Sequence, residues 1–220
     1  MSAYGTRSMA WGLATAACAG IWLVGTGLRP VTPPMPTAAQ AFSDSAGPKS
    51  TRTPAGPAAG AKAGPAPLAA SAPVRLRIPR IGVDAPMTGL GLTRDGRLAA
   101  PPRSDGNLAG WYEHGTTPGA TGTAIVAGHV DTARGPAVFY NLGTLRKGDR
   151  IEITRRDGRT ALFSVDAVEV YKNSAFPDHK VYAAANRPEL RVITCGGGFS
   201  HRTGYEGNVV TYAHLTGSRP

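Results

Sequence analysis

The sequence predicts a mainly β domain, folded as a closed barrel or a sandwich, over residues 74–216. Short apolar runs recur along this stretch, and the turns between them are rich in Gly, Pro, Asn and Asp, which is typical of both architectures. The first run, VRLRIPRI from Val74 to Ile81, alternates apolar and basic side chains with the period of a half-buried strand. Further along, Asp157 and Gly158 separate two β-rich runs and predict a hairpin.

The other elements are expected in order along the domain. Three more strands are predicted at TAIVAGHV, LRVITC and NVVTYAHL, which span 123–130, 190–195 and 208–215. One helix is expected over residues 137–145, because Val138, Leu142 and Leu145 fall on one helical face. No internal repeat is visible, so the domain is expected to be mostly β with one helix.

An uncharged run of 20 residues, Met9 to Leu28, lies near the N-terminus between two arginines. As a helix it would measure roughly 30 Å, about the hydrocarbon thickness of a bilayer. Residues 1–28 are therefore expected to form a membrane anchor or a cleaved signal, since the AQA at 39–41 matches a signal-peptidase site. Lipid attachment at Cys18 is a third interpretation. All three export the rest of the chain, and the anchor predicts a single-pass membrane protein with an extracytoplasmic β domain.

Residues 29–73 differ in composition from the β domain. They hold ten of the 19 prolines with many Ala, Gly, Ser and Thr residues, and few large apolar ones. Because such a segment lacks the side chains to bury a core, a disordered linker is expected here. In polyproline II form it would span up to about 140 Å.

The formal net charge of +10 favours contact with an anionic surface, for which phospholipid, cell wall and nucleic acid are all candidates. The basic residues are scattered, however, and the sequence contains no aromatic-studded basic stretch or recognised nucleic-acid-binding module. No nucleic-acid partner is therefore expected.

Cys195 is the residue best suited to chemistry. Since Cys18, the other cysteine, lies in the hydrophobic run, Cys195 has no disulfide partner in the exported part of the chain. Such a thiol is either buried and inert or reactive and functional. It ends an apolar strand, and Gly196, Gly197 and Gly198 after it would let a substrate backbone approach closely. The alternative is a small core residue and a turn.

His129 is the expected partner of this thiol. It ends another predicted strand, in AIVAGHVD, and an imidazole beside a thiol can take its proton or pair with the thiolate. Two strand ends on one barrel rim would bring the two groups together. Considered alone, His129 is also compatible with a hydrogen-bonded surface histidine.

An enzyme that forms a thioester needs a cation or oriented N–H donors to stabilise an oxyanion near the sulfur. Arg202 lies seven residues after Cys195, in the next loop, and is the preferred candidate. Arg191 lies four residues before Cys195 and is expected on the opposite face of the strand. The alternative for Arg202 is a solvated loop cation.

Four sequence blocks occur in a fixed order along the domain. They are IPRIGVDAPM at 78–87, AGHVD at 127–131, GPAVFYNLGTLRKGD at 135–149 and VITCGGGF at 192–199. Together they resemble the sortase family, in particular its actinobacterial class F. The resemblance covers residues 74–216 and implies an eight-stranded β-barrel with short helices, preceded by an N-terminal hydrophobic helix and a linker.

The resemblance also implies an activity, that of a cysteine transpeptidase, which is a thiol protease that can pass its acyl group to an amine. Cys195 carries over as the nucleophile and His129 as the general acid/base. The implied substrate is an LPxTG-like sorting signal of a surface protein, cleaved between Thr and Gly. The implied acceptor is an amine such as a peptidoglycan precursor or a pilin, with water as the alternative.

The sequence departs from the family pattern at one position. Sortases usually carry an arginine on the strand after the cysteine, where this chain has Asn208. Either Arg202 reaches the site from the loop, or Asn208 helps by hydrogen bonding, or activity is reduced. Thr194 and Asn208 are the residues expected to contact the substrate.

Neither a cofactor nor a metal site is expected. Some sortases bind calcium, but residues 171–189 contain only Asp178 and Glu189 as acids, which are too few hard oxygen ligands. The five histidines lack the close pairing of a zinc-binding helix, since they lie at positions 114, 129, 179, 201 and 214.

Two other functions remain as alternatives. An L,D-transpeptidase is also an exported, β-rich cysteine enzyme of the cell wall, but its usual SHGC block is missing, since Ile193 and Thr194 precede Cys195. The alternative from another class is a non-catalytic wall-binding module in which Cys195 is merely packed. A thiol that reacts rapidly with a small reagent would count against the module.

Overall fold

The computed structural model describes residues 32–43, 64–200 and 202–220. The predicted hydrophobic helix at Met9 to Leu28 lies outside the described residues. Within the described ranges, no helix is both long and apolar enough to cross a membrane. Residues 33–220 form one of the chain's two structural units, and every element named below belongs to it.

Ten strands and one short α-helix make up the fold of these described ranges. The strands are β1 (Pro73–Ile78), β2 (Val83–Leu90), β3 (Ala109–Tyr112), β4 (Gly122–Gly128), β5 (Asp131–Thr132), β6 (Gly135–Pro136), β7 (Arg150–Arg155), β8 (Thr160–Lys172), β9 (Pro188–Ser200) and β10 (Gly204–Arg219), and the helix is α1 (Asp178–Tyr182). Single 3₁₀ turns occur at Ala38–Gln40, Pro79–Ile81, Leu142–Thr144 and Asn173–Ala175.

Eight of the strands close into a barrel in the order β1, β2, β3, β4, β9, β10, β8, β7, and β5 pairs with β6 in a separate ribbon. This confirms the predicted eight-stranded barrel and excludes the sandwich. Most neighbouring strands are antiparallel, but β2 runs parallel to β3, and β4 runs parallel to β9. Because β4 and β9 point the same way, residues just beyond them leave the barrel at the same edge.

Strand alternation divides the apolar side chains between the barrel interior and its outer face. The interior contains fully buried side chains from most strands, among them Leu76, Ile78, Val126, Ile151, Ile153, Leu190 and Val192. A second set, here called the outer-face cluster, lies outside the sheet and consists of Ile125, Ala167, Val181, Ile193, Val210 and Tyr212. The wall formed by β4 and β9 is therefore apolar on both faces, which explains why both strands were recognisable as continuous apolar runs.

The predicted hairpin is present between β7 and β8. The turn contains Asp157 and Gly158, and the N–H of Arg155 donates to the carbonyl of Arg159 at 2.9 Å. Gly158 has a φ of +81°, in the left-handed region that glycine adopts at little cost. The hairpin predicted at Asp157 and Gly158 is therefore confirmed, and the left-handed backbone of Gly158 explains why a glycine occurs there.

The predicted helix over residues 137–145 is not formed. The segment consists of tight turns that end in the 3₁₀ turn at Leu142–Thr144. Leu142 and Leu145 are nonetheless fully buried, so the spacing that predicted the helix reflects burial of one side of a turn. Gly143 lets the chain around Pro34 approach this turn closely, because a Cβ atom at position 143 would lie 2.2 Å from the carbonyl oxygen of Pro34.

Part of the predicted linker packs on the barrel. Residues 33–43, here called the N-terminal strap, are held by Gln40, whose side-chain amide donates to the carbonyls of Gly143 at 2.8 Å and Leu145 at 2.5 Å. The ring of Phe42 meets that of Tyr212 edge to face at 5.0 Å between centroids. The composition of the linker indicated that it forms no core of its own. The strap is attached instead by these few contacts with the barrel.

The end of the linker also contacts the barrel. The N–H of Leu68 donates to the carbonyl of Gly119 at 2.8 Å, and the Leu68 side chain packs against the interior cluster. The N–H of Arg156 donates to the carbonyl of Ala72 at 2.9 Å. The stretch just before β1 is therefore part of the folded domain.

Arg155 joins three segments at the end of β7. Its side chain is fully buried and donates to the carbonyl of Pro118 at 2.7 Å, to the carbonyl of Ala69 and to the carboxylate of Asp157 at 2.7 Å. A buried guanidinium that satisfies two loop carbonyls and one carboxylate fixes those loops to the barrel.

Replacing Arg155 by Met is expected to lower the free energy of unfolding by about 3 kcal/mol, because two carbonyls and a carboxylate lose their donor while the side-chain volume is kept. Urea unfolding followed by tryptophan fluorescence measures this. The matched control is Arg156→Met at the neighbouring exposed arginine, with an expected change within about 0.5 kcal/mol. Equal stability of the two variants would contradict this role for Arg155.

Candidate active site

The parallel pair β4 and β9 positions the two residues that were expected to react. Their register runs to the pair Ala127 and Ile193, and His129 and Cys195 each lie two residues beyond that pair. Just before them, the hydroxyl of Thr194 donates to the carbonyl of Gly128 at 2.9 Å. The backbones that carry His129 and Cys195 are therefore adjacent at one edge of the barrel.

The side chain of Cys195 lies on the outer face of the sheet. Ile193 belongs to the outer-face cluster, and Cys195 comes two residues after it within β9. Since side chains alternate along a strand, the exposed thiol is directed to the same face. The imidazole of His129 comes after the end of the neighbouring strand β4.

Cys195 is a free, exposed cysteine, but it does not end its strand as the sequence predicted. Strand β9 continues through the glycines to Ser200, paired only with β10, whereas its pairing with β4 stops before Cys195. Cys195 is therefore the point at which β9 loses one neighbour, which leaves its thiol open on that side. Gly197 has a φ of +81°, where the pairing with β10 becomes irregular.

His129 comes directly after β4 and is buried to nine-tenths of its surface. Its Nε2 atom lies 2.7 Å from the carbonyl oxygen of Pro101. A carbonyl oxygen can only accept a hydrogen bond, so Nε2 carries a proton whether the ring is neutral or charged. The nitrogen that gains and loses a proton is therefore Nδ1.

This tautomer can be observed directly. In the protein labelled with ¹⁵N-histidine, the neutral form of His129 is expected to show a protonated Nε2 and an unprotonated Nδ1 in long-range ¹H–¹⁵N spectra, because the Pro101 carbonyl retains the Nε2 proton. His129→Gln identifies the signal by its disappearance. A neutral ring protonated at Nδ1 would contradict the assignment.

The charges around Cys195 act on its thiol in opposite directions. Partial desolvation by the surrounding protein raises the pKa of Cys195 above its ordinary value, the positive charge of Arg103 lowers it, and the negative charge of Asp131 raises it. The net effect is a raised pKa, so the resting thiol is mostly protonated at neutral pH. A base is therefore needed when the sulfur reacts.

Asp131 and Tyr205 form a bridge beside the thiol. The Tyr205 hydroxyl donates to Oδ2 of Asp131 at 2.5 Å, and this bridge links the segment after His129 to the start of β10. Desolvation, and after it the carboxylate of Asp131, raises the pKa of Tyr205 well above its ordinary range, so its hydroxyl stays protonated. The bridge fixes the carboxylate whose charge acts on Cys195.

The two residues expected to contact substrate lie on different faces of the sheet. Asn208 pairs directly with Cys195 across β9 and β10, is partly exposed and donates through its side chain to Asn173 at 2.9 Å. Thr194 is 3% exposed and its hydroxyl is taken by the carbonyl of Gly128. This places Asn208 beside the thiol, whereas Thr194 ties β9 to β4 from the interior.

Arg202 lies in the turn that joins β9 and β10. It is exposed, and within the described ranges its only hydrogen bond runs from its backbone N–H to the hydroxyl of Ser200. Ser200 lies five residues beyond Cys195, up to about 17 Å along an extended strand. In the part of the chain that the structure describes, the Arg202 side chain makes no interaction with Cys195, and the role of Arg202 stays a prediction.

The expected position of Arg191 was wrong. Arg191 pairs with Ile125 and Tyr212, which belong to the outer-face cluster, and its guanidinium lies over the Tyr212 ring at 4.5 Å. Four residues are two full periods of a strand, so Arg191 and Cys195 share a face. The Arg191 guanidinium forms an ion pair with the Glu189 carboxylate at 2.8 Å. Arg191 itself lies four residues before Cys195 along the strand.

Sequence reasoning missed Arg103, Asp131 and Tyr205. Asp131 could have been found, because it stands two residues after His129 in the AGHVD block. Arg103 gave no signal, since it lies in the long connection between β2 and β3 and more than 90 residues before Cys195. Among the described residues, no group of three or more His, Cys, Asp or Glu side chains is placed to hold a metal ion.

Comparisons with solved structures agree with this architecture. Sortase A from Corynebacterium diphtheriae, as a lid mutant, has a TM-score of 0.51 and 22% identity, covering 67% of this chain and 72% of that one. Sortase C-1 from Actinomyces oris has a TM-score of 0.50 and 21% identity, with 65% and 74% covered. Sortase A from Listeria monocytogenes has a TM-score of 0.50 and 17% identity, with 68% and 90% covered. At these identities the likeness establishes the fold.

Sequence comparison gives the family. No curated protein sequence matches the chain. The family model of the sortase domain, by contrast, matches residues 76–216, a range that begins in β1, ends in β10 and contains both His129 and Cys195. Because that match covers more than half of the 220 residues, the chain belongs to the sortase family.

Proposed function

We propose that this protein is a cysteine transpeptidase of the class F type, which cleaves an LPxTG-like sorting signal between Thr and Gly and transfers the acyl group to an amine or to water. The observation that supports the proposal is the parallel pairing of β4 and β9, which brings the backbones that carry His129 and Cys195 to one edge of the barrel. The four sequence blocks support the class.

In the first half of the proposed reaction, the Nδ1 atom of His129 takes the proton from the Cys195 thiol. The sulfur then attacks the carbonyl carbon of Thr, and the electron pair of the carbonyl moves to its oxygen. When that pair returns, the C–N bond to Gly breaks, and the imidazolium gives its proton to the leaving amine. A thioester on Cys195 and a peptide that begins with Gly result.

The second half reverses these roles. The incoming amine attacks the thioester carbonyl, and Nδ1 of His129 accepts the proton that the amine loses. As the C–S bond breaks, the sulfur leaves with its electron pair and takes a proton back from the imidazolium. The raised pKa of Cys195 is compatible with this cycle, because the proton moves only while substrate is bound.

We also propose that the enzyme works outside the cytoplasm, held at the membrane by its N-terminal segment. The uncharged run Met9 to Leu28 supports this location. Fractionation of cells that express the full chain tests it, with recovery in the membrane fraction after alkaline extraction as the expected result. Recovery in the soluble cytoplasmic fraction would overturn it.

The enzyme proposal is tested with the purified chain and a library of quenched fluorescent peptides that vary LPxTG, in the presence of several amines. We expect cleavage between Thr and Gly, a Cys195 acyl-enzyme detectable by mass spectrometry, and an amine-transfer product. No cleavage together with slow labelling of Cys195 by a methanethiosulfonate would favour a non-catalytic wall-binding module. Crosslinking of muropeptides without cleavage of any sorting peptide would favour an L,D-transpeptidase.

A further inference from the structure

The connection between β2 and β3 is fastened to the segment just after His129. The carbonyl of Pro101 accepts from His129 Nε2 at 2.7 Å, and the carbonyl of Ser104 accepts from the Arg134 guanidinium at 3.3 Å. Two residues later, the carbonyl of Gly106 accepts from the N–H of Val138 at 2.7 Å. Three contacts within six residues fix this stretch along the edge where the thiol and imidazole lie.

Arg103 stands between the first two of these contacts. Its side chain is exposed, and within the described ranges the structure gives its guanidinium no hydrogen bond and no ion pair. An arginine has five N–H donors and keeps its charge at any pH relevant to proteins. Its donors are therefore free for an oxygen atom of a bound substrate.

The charges that surround the thiol single out the same residue. The charged and titratable groups that interact with Cys195 are the carboxylate of Asp131, the hydroxyl of Tyr205 and the guanidinium of Arg103. Of the arginines and lysines in the part of the chain that the structure describes, Arg103 is the one whose charge acts on Cys195. Arg202, the residue that the sequence favoured, does not act on it.

We propose that Arg103 is the catalytic cation of this site, and that its guanidinium stabilises the negative charge that develops on the Thr carbonyl oxygen when Cys195 attacks. Arg103 would take the place of the arginine that sortases usually carry where this chain has Asn208. It comes from the loop between β2 and β3, which precedes His129 in the sequence, and not from the strand that follows Cys195. This inference rests on the proposed transpeptidase function for its chemical step, but the position of the cation beside the sulfur does not.

Two variants and one matched control test the proposal. Arg103→Ala removes the charge, Arg103→Lys keeps it without the planar fork, and Arg202→Ala removes an equally exposed arginine. For peptide cleavage, kcat of Arg103→Ala is expected to fall about 10²–10³-fold, as for loss of one oxyanion donor, with KM nearly unchanged. Arg103→Lys should recover part of this loss, and Arg202→Ala should retain wild-type kcat.

A second measurement needs no peptide substrate. The rate of Cys195 alkylation by neutral iodoacetamide increases with pH as the thiol ionises. In Arg103→Ala this increase is expected at a higher pH than in wild type, because the thiolate loses a favourable charge. The ratio of the rates with anionic iodoacetate and iodoacetamide should fall as well. Arg202→Ala should change neither quantity.

The two measurements separate failure of the inference from failure of the proposed function. If wild type cleaves no sorting peptide but the alkylation profile shifts in Arg103→Ala, the transpeptidase function fails. The position of the Arg103 charge beside the thiol is then still supported. If the profile and the reagent ratio of Arg103→Ala equal those of wild type, the inference is overturned whatever the peptide result. It is also overturned if Arg202→Ala loses kcat and Arg103→Ala does not.

Discussion

Replacing Cys195 by Ala is expected to abolish cleavage of an LPxTG-like peptide and to leave the stability of the barrel unchanged. The sulfur is the atom that forms the thioester, so its loss removes the covalent route itself and should lower kcat by at least about 10³-fold. The side chain is exposed, and substitutions at exposed positions usually change stability by less than about 0.5 kcal/mol.

Three measurements on Cys195→Ala separate chemistry from folding. Peptide turnover should vanish, the acyl-enzyme should be absent by mass spectrometry, and the thermal unfolding midpoint should match that of wild type. Binding of the uncleaved peptide, measured by fluorescence anisotropy, should persist because the substitution removes only the sulfur atom. Wild-type turnover by Cys195→Ala would leave the proposed thioester mechanism without support.

The second large effect is expected at His129. Without its imidazole, the proton of a thiol with a raised pKa has no acceptor, and the leaving amine has no donor. General acid/base catalysis contributes about 10²–10⁴-fold, so kcat of His129→Gln should fall by that factor. The loss should appear in the rate of acyl-enzyme formation, which rapid-quench mass spectrometry measures.

The control for His129 is His114→Gln. His114 comes shortly after β3, is mostly exposed and lies near Glu113, and nothing in the proposed mechanism uses it. Its variant should therefore keep wild-type kcat. Glutamine at 129 retains an amide that can donate to the Pro101 carbonyl, which limits any loss of stability at this buried position. Wild-type acylation by His129→Gln would overturn the assignment of His129 as acid and base.

Much of the fold could be predicted from the sequence. The two-residue period of β1 and the apolar runs of β4, β9 and β10 are local signals, and local signals identify strands. The apolar runs also placed His129 at the end of a strand correctly, whereas β9 continues past Cys195 to Ser200. The closed barrel and the pairing of β4 with β9 come from the resemblance and the structure, since periodicity does not determine which strands pair.

What the sequence could not predict depends on contacts between distant segments. Arg103 lies near the thiol because three carbonyls of its loop bind the segment from His129 to Val138, and no local pattern encodes such contacts. The helix over 137–145 failed because its apolar spacing reflected burial of one side of a series of turns in the interior cluster. Arg191 was misplaced by an error of strand geometry, since an even separation keeps two residues on one face.

The N-terminal strap changes how the proline-rich stretch can be interpreted. Phe42 and Leu68 both contact the barrel, so the chain is attached to the folded domain on both sides of residues 43–67. A proteolytic cut within residues 43–67 would therefore leave the upstream piece attached non-covalently, through the Gln40 amide and the Phe42 ring.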